Sequence, residues 1–398
     1  MEQVVTTPSP HFESSTQHSA QRSGVSPEIP VAEESRLSAA KKYHTIKLII
    51  SLSESAFLLL LTLFAVAFGW TRLVSSWAYG LVANDLSAFL VFIAMLGVFE
   101  ILFTLPVHWY AGFYLEHKYQ LSNQTLPRWM WENLKAIGVS IPIAVPLLVL
   151  FYLSLQKFGN TWWIPVGVVA FLFSVVLARL APTLIFPLFY KFIPLENASL
   201  KGRLIEMCKK ENLSVNGVLA FNMSKNTKKA NAGFAGIGKA KRIILADTLL
   251  QNFTEDEIAT VFAHEIGHYR YGHILKSIFI GALTTFLGLY LAAALYNTSL
   301  SSFGFESITE LAALPLLGVW LGVYGFVAGP LNNMLSRSFE RQADRFAFER
   351  IPDRSIFVST MQKLASINLA DPSPHPLVEF LFYSHPSIEK RIHLAEHG

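Results

Sequence analysis

TEDEIATVFAHEIGHYRYGHILKSIFIGALTTFLGLYLAAALY, residues 254–296, joins a polar segment with two closely spaced histidines to an apolar run long enough to cross a bilayer. Thr254 followed three residues later by Glu257 is a capping box, so a helix opens here. At about 100° and 1.5 Å per residue, His264 and His268 lie about 40° apart around its axis and about 6 Å apart along it. Both imidazoles can reach one ion. Glu265 points too far round the helix to make an easy third ligand. It is placed to hydrogen-bond a water at the metal, accept its proton as the water attacks a peptide carbonyl, and pass that proton to the leaving amine. The spacing suits metal-assisted hydrolysis.

Outward from this stretch, composition points to a membrane. Of 398 residues, 52% are hydrophobic and 15% charged, against roughly 25% charged in an ordinary soluble domain. Six runs can cross about 30 Å of hydrocarbon: 48–70, 86–107, 137–155, 162–189, 274–296 and 311–331. The fourth contains Arg179, Pro182 and Pro187, and is expected to leave the bilayer near Arg179 and continue irregularly along the interface. Isolated charges at Glu54, Glu100 and Arg179 would be satisfied by lining a water-filled cavity. Four spans before the insert and two after it place the insert and both termini on one side. Lys41, Lys42, Lys47, Lys118, Arg128, Lys135 and the lysine-rich insert share that side, which the positive-inside rule assigns to the cytoplasm. The net charge of +4 reflects this topology rather than nucleic-acid binding, since no basic, aromatic-interleaved patch exists. The single cysteine, Cys208, excludes an intramolecular disulfide and a multi-cysteine zinc site, and reads as a buried apolar residue.

The expected organisation is a disordered polar tail (1–45), a four-span region (46–190), a catalytic insert (191–273), a two-span region (274–331) and C-terminal catalytic helices (332–398). Within the insert, 197–212 reads as a helix with Leu200, Leu204 and Cys208 on one stripe, and VLAF (218–221) and RIIL (242–245) read as strands. NAGFAGIG (231–238) reads as an extended edge strand. The fold class is therefore mainly α, a helical membrane protein with a small α+β protease domain.

A catalytic zinc needs a third ligand and one open position. Downstream candidates are Glu340, Asp344, Glu349, His375, His385 and His393. His273, about 140° off the face of His268, is read as ending the helix at the interface. In SRSFERQADRFA (336–347), Glu340 and Asp344 share a helix face, so Glu340 can bind the metal while Asp344 orients a histidine.

HEIGH, SRSFERQAD, YSHPSIEKR (383–391) and NAGFAGIGKAKRIILADTLL (231–250), with LEHKYQLSNQT (115–125) and PTLIFPLFYKFIPLE (182–196) upstream, together resemble the type I CAAX prenyl protease family of integral-membrane zinc metalloproteases. The resemblance covers nearly everything after the tail. It implies one zinc held by His264, His268 and Glu340, with Glu265 as general base. It implies that Asn231 and His385 flank the metal and contact the substrate or its oxyanion, and that Asp344 and Arg391 form a supporting ion pair. The implied partners are membrane lipid and a peptide or protein substrate, including prenylated C-terminal peptides trimmed beside the modified cysteine. The implied location is a bacterial inner membrane or the endoplasmic reticulum, active site toward the cytoplasm. Eukaryotic members carry a further N-terminal span where this chain has a polar tail. Alternatives are an HtpX-like quality-control metalloprotease and a non-catalytic channel or scaffold with a vestigial metal site. A site-two-type intramembrane protease is excluded, because the HEIGH helix is too polar to lie within hydrocarbon.

Overall fold

In hydrocarbon a backbone must satisfy its own hydrogen bonds, so the apolar runs become long helices. The computed structural model describes residues 31–235 and 241–398. Six of its helices are long and apolar enough to cross a membrane. α1 (Val31–Ala67) leads to the short α2 (Trp70–Leu81) and then to α3 (Asp85–Trp109), which runs through a π turn into α4 (Leu115–Lys118). α5 (Leu126–Phe158) and α6 (Trp163–Leu180) follow.

Two expectations are corrected here. The polar tail does not extend to residue 45, because 31–45 are already helical within α1; residues 1–30 lie outside the described residues. Tertiary contacts overcome the polar composition: Ala40 and Tyr43 are buried against Leu115, Leu121 and Leu369, and Arg36 donates to the Ser366 carbonyl at 2.9 Å. The fourth span, in turn, stays helical past Arg179, its irregularity confined to one turn. α6 continues through a π turn at Ala181–Ile185 into α7 (Phe186–Phe189), the widened turn absorbing the amide that Pro182 lacks.

Next come β1 (Phe192–Pro194), α8 (Ala198–Lys210), β2 (Val218–Phe221), β3 (Ala232–Ala235), β4 (Arg242–Ala246), α9 (Asp247–Asn252) and α10 (Glu255–Arg270). The sheet order is β1-β2-β4-β3, with β2 and β4 parallel and the other pairs antiparallel. β3 is therefore an edge strand; the last residues of the sequence expected to extend it, 236–238, lie outside the described residues. Ile243 and Leu245 point from β4 into a core that includes Leu200, Leu204 and Cys208 of α8 and Phe262 and Ile266 of α10. Each fully buried Leu, Ile or Phe stabilises this domain by about 1.5–3 kcal/mol. Burial pushes the Cys208 thiol up to about 12, so it is an inert core residue.

α11 (His273–Ser299) and α12 (Leu314–Arg350) return through the bundle, followed by α13 (Arg354–Asn368), α14 (Pro376–Phe382) and α15 (Ile388–His397). Between membrane helices apolar burial gives little net drive, so close packing decides. A Cβ on Gly288 would collide with the Tyr324 ring, and the Tyr324 hydroxyl donates to the Thr284 carbonyl at 2.7 Å, tying α12 to α11. The start of α1 meets the catalytic part directly, with Lys229 Nζ 3.3 Å from the Tyr43 hydroxyl. The insert, the C-terminal helices and the start of α1 thus gather at one end of the bundle. Of the isolated charges, Glu100 lines a cavity of about 690 Å³ between α1, α2, α3 and α12, Glu54 lies 3.2 Å from His108, and Arg179 is exposed.

Candidate metal centre

The HEIGH helix is held for its task at three points. The Thr254–Glu257 capping box starts it, satisfying two amides at the N-terminus. Gly267 lets α12 approach: a Cβ there would stand 3.0 Å from the Ala343 Cα, so a larger residue would push the two helices apart. Gly272, at φ +65°, ends α10 with a left-handed residue and turns the chain into α11.

The close approach of α10 and α12 brings His264, His268 and Glu340 together, one ligand-type atom from each lying within 4.8 Å of the others. His264 Nε2 is 3.3 Å from Glu340 Oε2, His268 Nε2 is 3.2 Å from Glu340 Oε1, and the two Nε2 atoms are 3.1 Å apart. Glu340 is 5% exposed, and its Oε2 accepts no hydrogen bond. A buried carboxylate oxygen without a donor, facing two imidazole nitrogens, is a concentration of lone pairs that a cation resolves. The residues fit a bound metal, and the donor set of two imidazoles and a carboxylate suits a hydrolytic site.

Asp344, one turn beyond Glu340, is fully buried and accepts from His264 Nδ1 at 2.8 Å. Arg391 of α15 grips the same carboxylate, with Nε donating to Oδ2 at 2.9 Å and Nη2 to Oδ1 at 2.6 Å. This pairing leaves His264 Nε2 with its lone pair toward the cluster. His385, in the loop between α14 and α15, places Nε2 3.4 Å from Glu340 Oε1 while its side chain remains 60% exposed. Glu265 is half-buried beside the cluster, and burial raises its carboxyl above the ordinary value. Asn231 stands immediately before β3, its backbone carbonyl accepting from Ala246 at 3.0 Å. Its side chain is exposed and makes no hydrogen bond to the cluster among the described residues. β3 lies against the HEIGH helix through Phe234 and Phe262, whose ring centroids are 5.1 Å apart.

The sequence reading missed His273 and Gln342. After the turn at Gly272, His273 swings back so that its Nδ1 lies 3.0 Å from His268 Nδ1, while its Nε2 lies 3.3 Å from Gln342 Oε1. Phe339 stacks on its ring at 4.4 Å. Since Gln342 Oε1 accepts, His273 donates through Nε2 and accepts through Nδ1, which makes His268 Nδ1 a donor. His268 Nε2 then also faces the cluster unprotonated. The 140° offset assumed that α10 continues past Gly272; the signal that pointed the other way was the glycine itself.

The family model for peptidase family M48 matches residues 194–397, and that for the CAAX prenyl protease N-terminal region, described as five membrane helices, matches residues 17–191. In the described part of that second range the structure has four long apolar helices and the 12-residue α2. The chain is 31% identical over 373 residues to the uncharacterized metalloprotease YhfN of Bacillus subtilis, covering 91% of this chain and 86% of that one. It is 29% identical to CAAX prenyl protease 1 of Saccharomyces cerevisiae, over 76% of this chain and 71% of the relative. The crystal structure of S. mikatae Ste24p shares the fold with a TM-score of 0.83 at 24% identity, covering 94% of this chain and 93% of that one. With a membrane bundle, a helix-borne His–His–Glu cluster and these matches, the chain belongs to peptidase family M48 and is an integral-membrane metallopeptidase.

Proposed function

We propose that the chain is a zinc endopeptidase of the CAAX prenyl protease type, with zinc held by His264, His268 and Glu340 and proton transfer performed by Glu265. The observation that carries this reading is the convergence of two imidazole nitrogens and a buried carboxylate, with Asp344 occupying the far nitrogen of His264. Zinc in such a set supplies Lewis acidity toward water and the scissile carbonyl. Glu265 takes the proton of the attacking water and returns it to the leaving amine. Burial raises its carboxyl above the ordinary value, which favours taking that proton. The substrate lies extended along the free edge of β3, adding a strand through main-chain hydrogen bonds. His385 and the Asn231 side-chain amide donate to the carbonyl oxygen as it gains charge.

The substrate class is a C-terminal peptide beside a prenylated cysteine, from which a tripeptide is released. The name of the yeast relative and the membrane-borne catalytic end support this choice. The catalytic end faces the cytoplasm, since Lys41, Lys42, Lys47, Lys118 and the lysines of the insert cluster there.

The test is Glu265→Gln in purified full-length protein, assayed on a farnesylated peptide with an unprenylated control. Metal content is expected to stay at one zinc per chain, with hydrolysis falling by about 10³-fold or more because proton transfer alone is removed. Near-normal turnover would overturn the mechanism, and equal rates on the two peptides would overturn the substrate class.

A further inference from the structure

On α12, Asn333, Arg337, Glu340 and Asp344 follow one another at intervals of four, three and four residues, which puts them on one helix face. Glu340 and Asp344 serve the metal cluster. The other two reach α14. Asn333 Nδ2 donates to the Leu381 carbonyl at 2.8 Å. Arg337 Nη1 donates to the carbonyls of Glu379 at 2.9 Å and Tyr383 at 2.5 Å, and lies 3.4 Å from that of Phe380. These carbonyls cluster at the C-terminal end of α14, the negative end of its dipole; that of Glu379 also accepts from the Tyr383 amide at 3.1 Å.

Arg337 is 7% exposed and forms no ion pair among the described residues. A buried guanidinium bonded to carbonyls, with the Glu379 carboxylate near but not paired to it, is costly, and an apolar side chain of similar volume would serve the fold as well. What the cation determines is the path of the next residues. Two positions beyond Tyr383 stands His385, whose own contacts are slight: Ser384 Oγ at 2.9 Å and Glu340 Oε1 at 3.4 Å. On the far side of the same loop, the Glu379 carboxylate, 4% exposed, accepts from the Ser387 amide at 3.3 Å and from Lys390 Nζ at 2.7 Å. The loop is clamped at both ends while its histidine projects freely between them.

We propose that Arg337, assisted by Asn333, is a positioning residue for His385. It registers the α14–α15 loop against the same helix face that presents Glu340, so one rigid element sets both the metal ligand and the oxyanion donor. The inference rests on the reading of His385 as that donor. All three carbonyls are reached by Nη1 alone, so a lysine ammonium, with three donors on one nitrogen, should restore part of the clamp.

The experiment is a double-mutant cycle in the full-length, zinc-loaded protein with a farnesylated peptide, using Arg337→Ala, Arg337→Lys, Asn333→Ala, His385→Ala and the paired variants. His385→Ala is expected to lower kcat by about 10²-fold, the scale of one oxyanion donor. Arg337→Ala should lower kcat by about 10-fold with KM changed less than about twofold and zinc retained, and Arg337→Lys should recover part of that loss, since misplacement costs only the transition-state contact. In the His385→Ala background neither Arg337→Ala nor Asn333→Ala should slow the enzyme further, because no imidazole is then left to misplace. Asn333→Ala, expected to cost about threefold alone, keeps the cycle measurable if Arg337→Ala does not fold. Losses that multiply with His385→Ala, or a rise in KM at constant kcat, would overturn the inference. Normal turnover by His385→Ala would overturn the donor reading and this inference with it, whereas multiplying losses would overturn this inference alone.

Discussion

His264 and His268 occupy successive turns of one helix, yet their backing differs in charge and burial. Behind His264 stands a fully buried carboxylate, gripped at 2.6 and 2.9 Å by Arg391 from the last helix. Behind His268, whose side chain is 23% exposed, stands a neutral chain of His273 and Gln342. Both arrangements make Nδ1 a donor and leave Nε2 to face the cluster, so they solve the same tautomer problem. The charged version also raises the basicity of its histidine and ties α10, α12 and α15 together. The neutral version joins α10, α11 and α12 by hydrogen bonds alone, with no buried charge pair. The difference teaches that one ligand is anchored by the fold and the other only oriented.

That contrast can be broken by comparing metal affinity and stability in three variants. Asp344→Asn should have the largest effect. It leaves the largely buried Arg391 without its paired carboxylate, so the catalytic domain should lose about 3 kcal/mol or more of stability, and zinc affinity should fall by about 10²-fold. Chelator competition and thermal unfolding in detergent would check both, and a change confined to zinc affinity would show that the ion pair does not anchor the fold. Next comes His273→Ala, for which zinc affinity should fall by about 10-fold while the unfolding temperature stays close to wild type, since only an orienting partner is lost. A stability loss matching that of Asp344→Asn would erase the distinction. The smallest effect belongs to Gln342→Ala. One neutral hydrogen bond at the end of the chain is worth about 1 kcal/mol, so zinc affinity should drop by no more than about fivefold. If Gln342→Ala weakened zinc as much as His273→Ala, the amide rather than the imidazole would set the orientation.

The part of this centre that was legible beforehand was the part closed by local geometry. HEIGH needs only the pitch of a helix to aim two imidazoles at one point, and the capping box that starts the helix is four residues long. Glu340 was one of several acidic or histidine candidates until the resemblance singled it out; the contact that selects it among them is the approach of α10 to α12 across Gly267 and Ala343. His273 was read as ending the helix, whereas the left-handed Gly272 makes it open α11 and back His268, outside the metal cluster. Arg337 carried no signal, since its partners are backbone carbonyls more than forty positions away in sequence.

By itself the sequence determined what periodicity and hydrocarbon demand: six apolar helices, since a single continuous apolar run satisfies its own backbone across about 30 Å of lipid tails only as a helix, and a helical pair of histidines beside a glutamate. It also determined VLAF and RIIL as strands, whose alternate residues feed one core. Only the tertiary structure decided that residues 31–45 are helical, that the face of α12 serves both metal and loop, and that His268 is oriented by a neighbour from beyond the helix break. The physical reason is the range of the interactions. Helix pitch and hydropathy act over a few residues and are written in order along the chain, whereas a buried polar group is satisfied by whichever donor or acceptor the packed helices bring within about 3 Å.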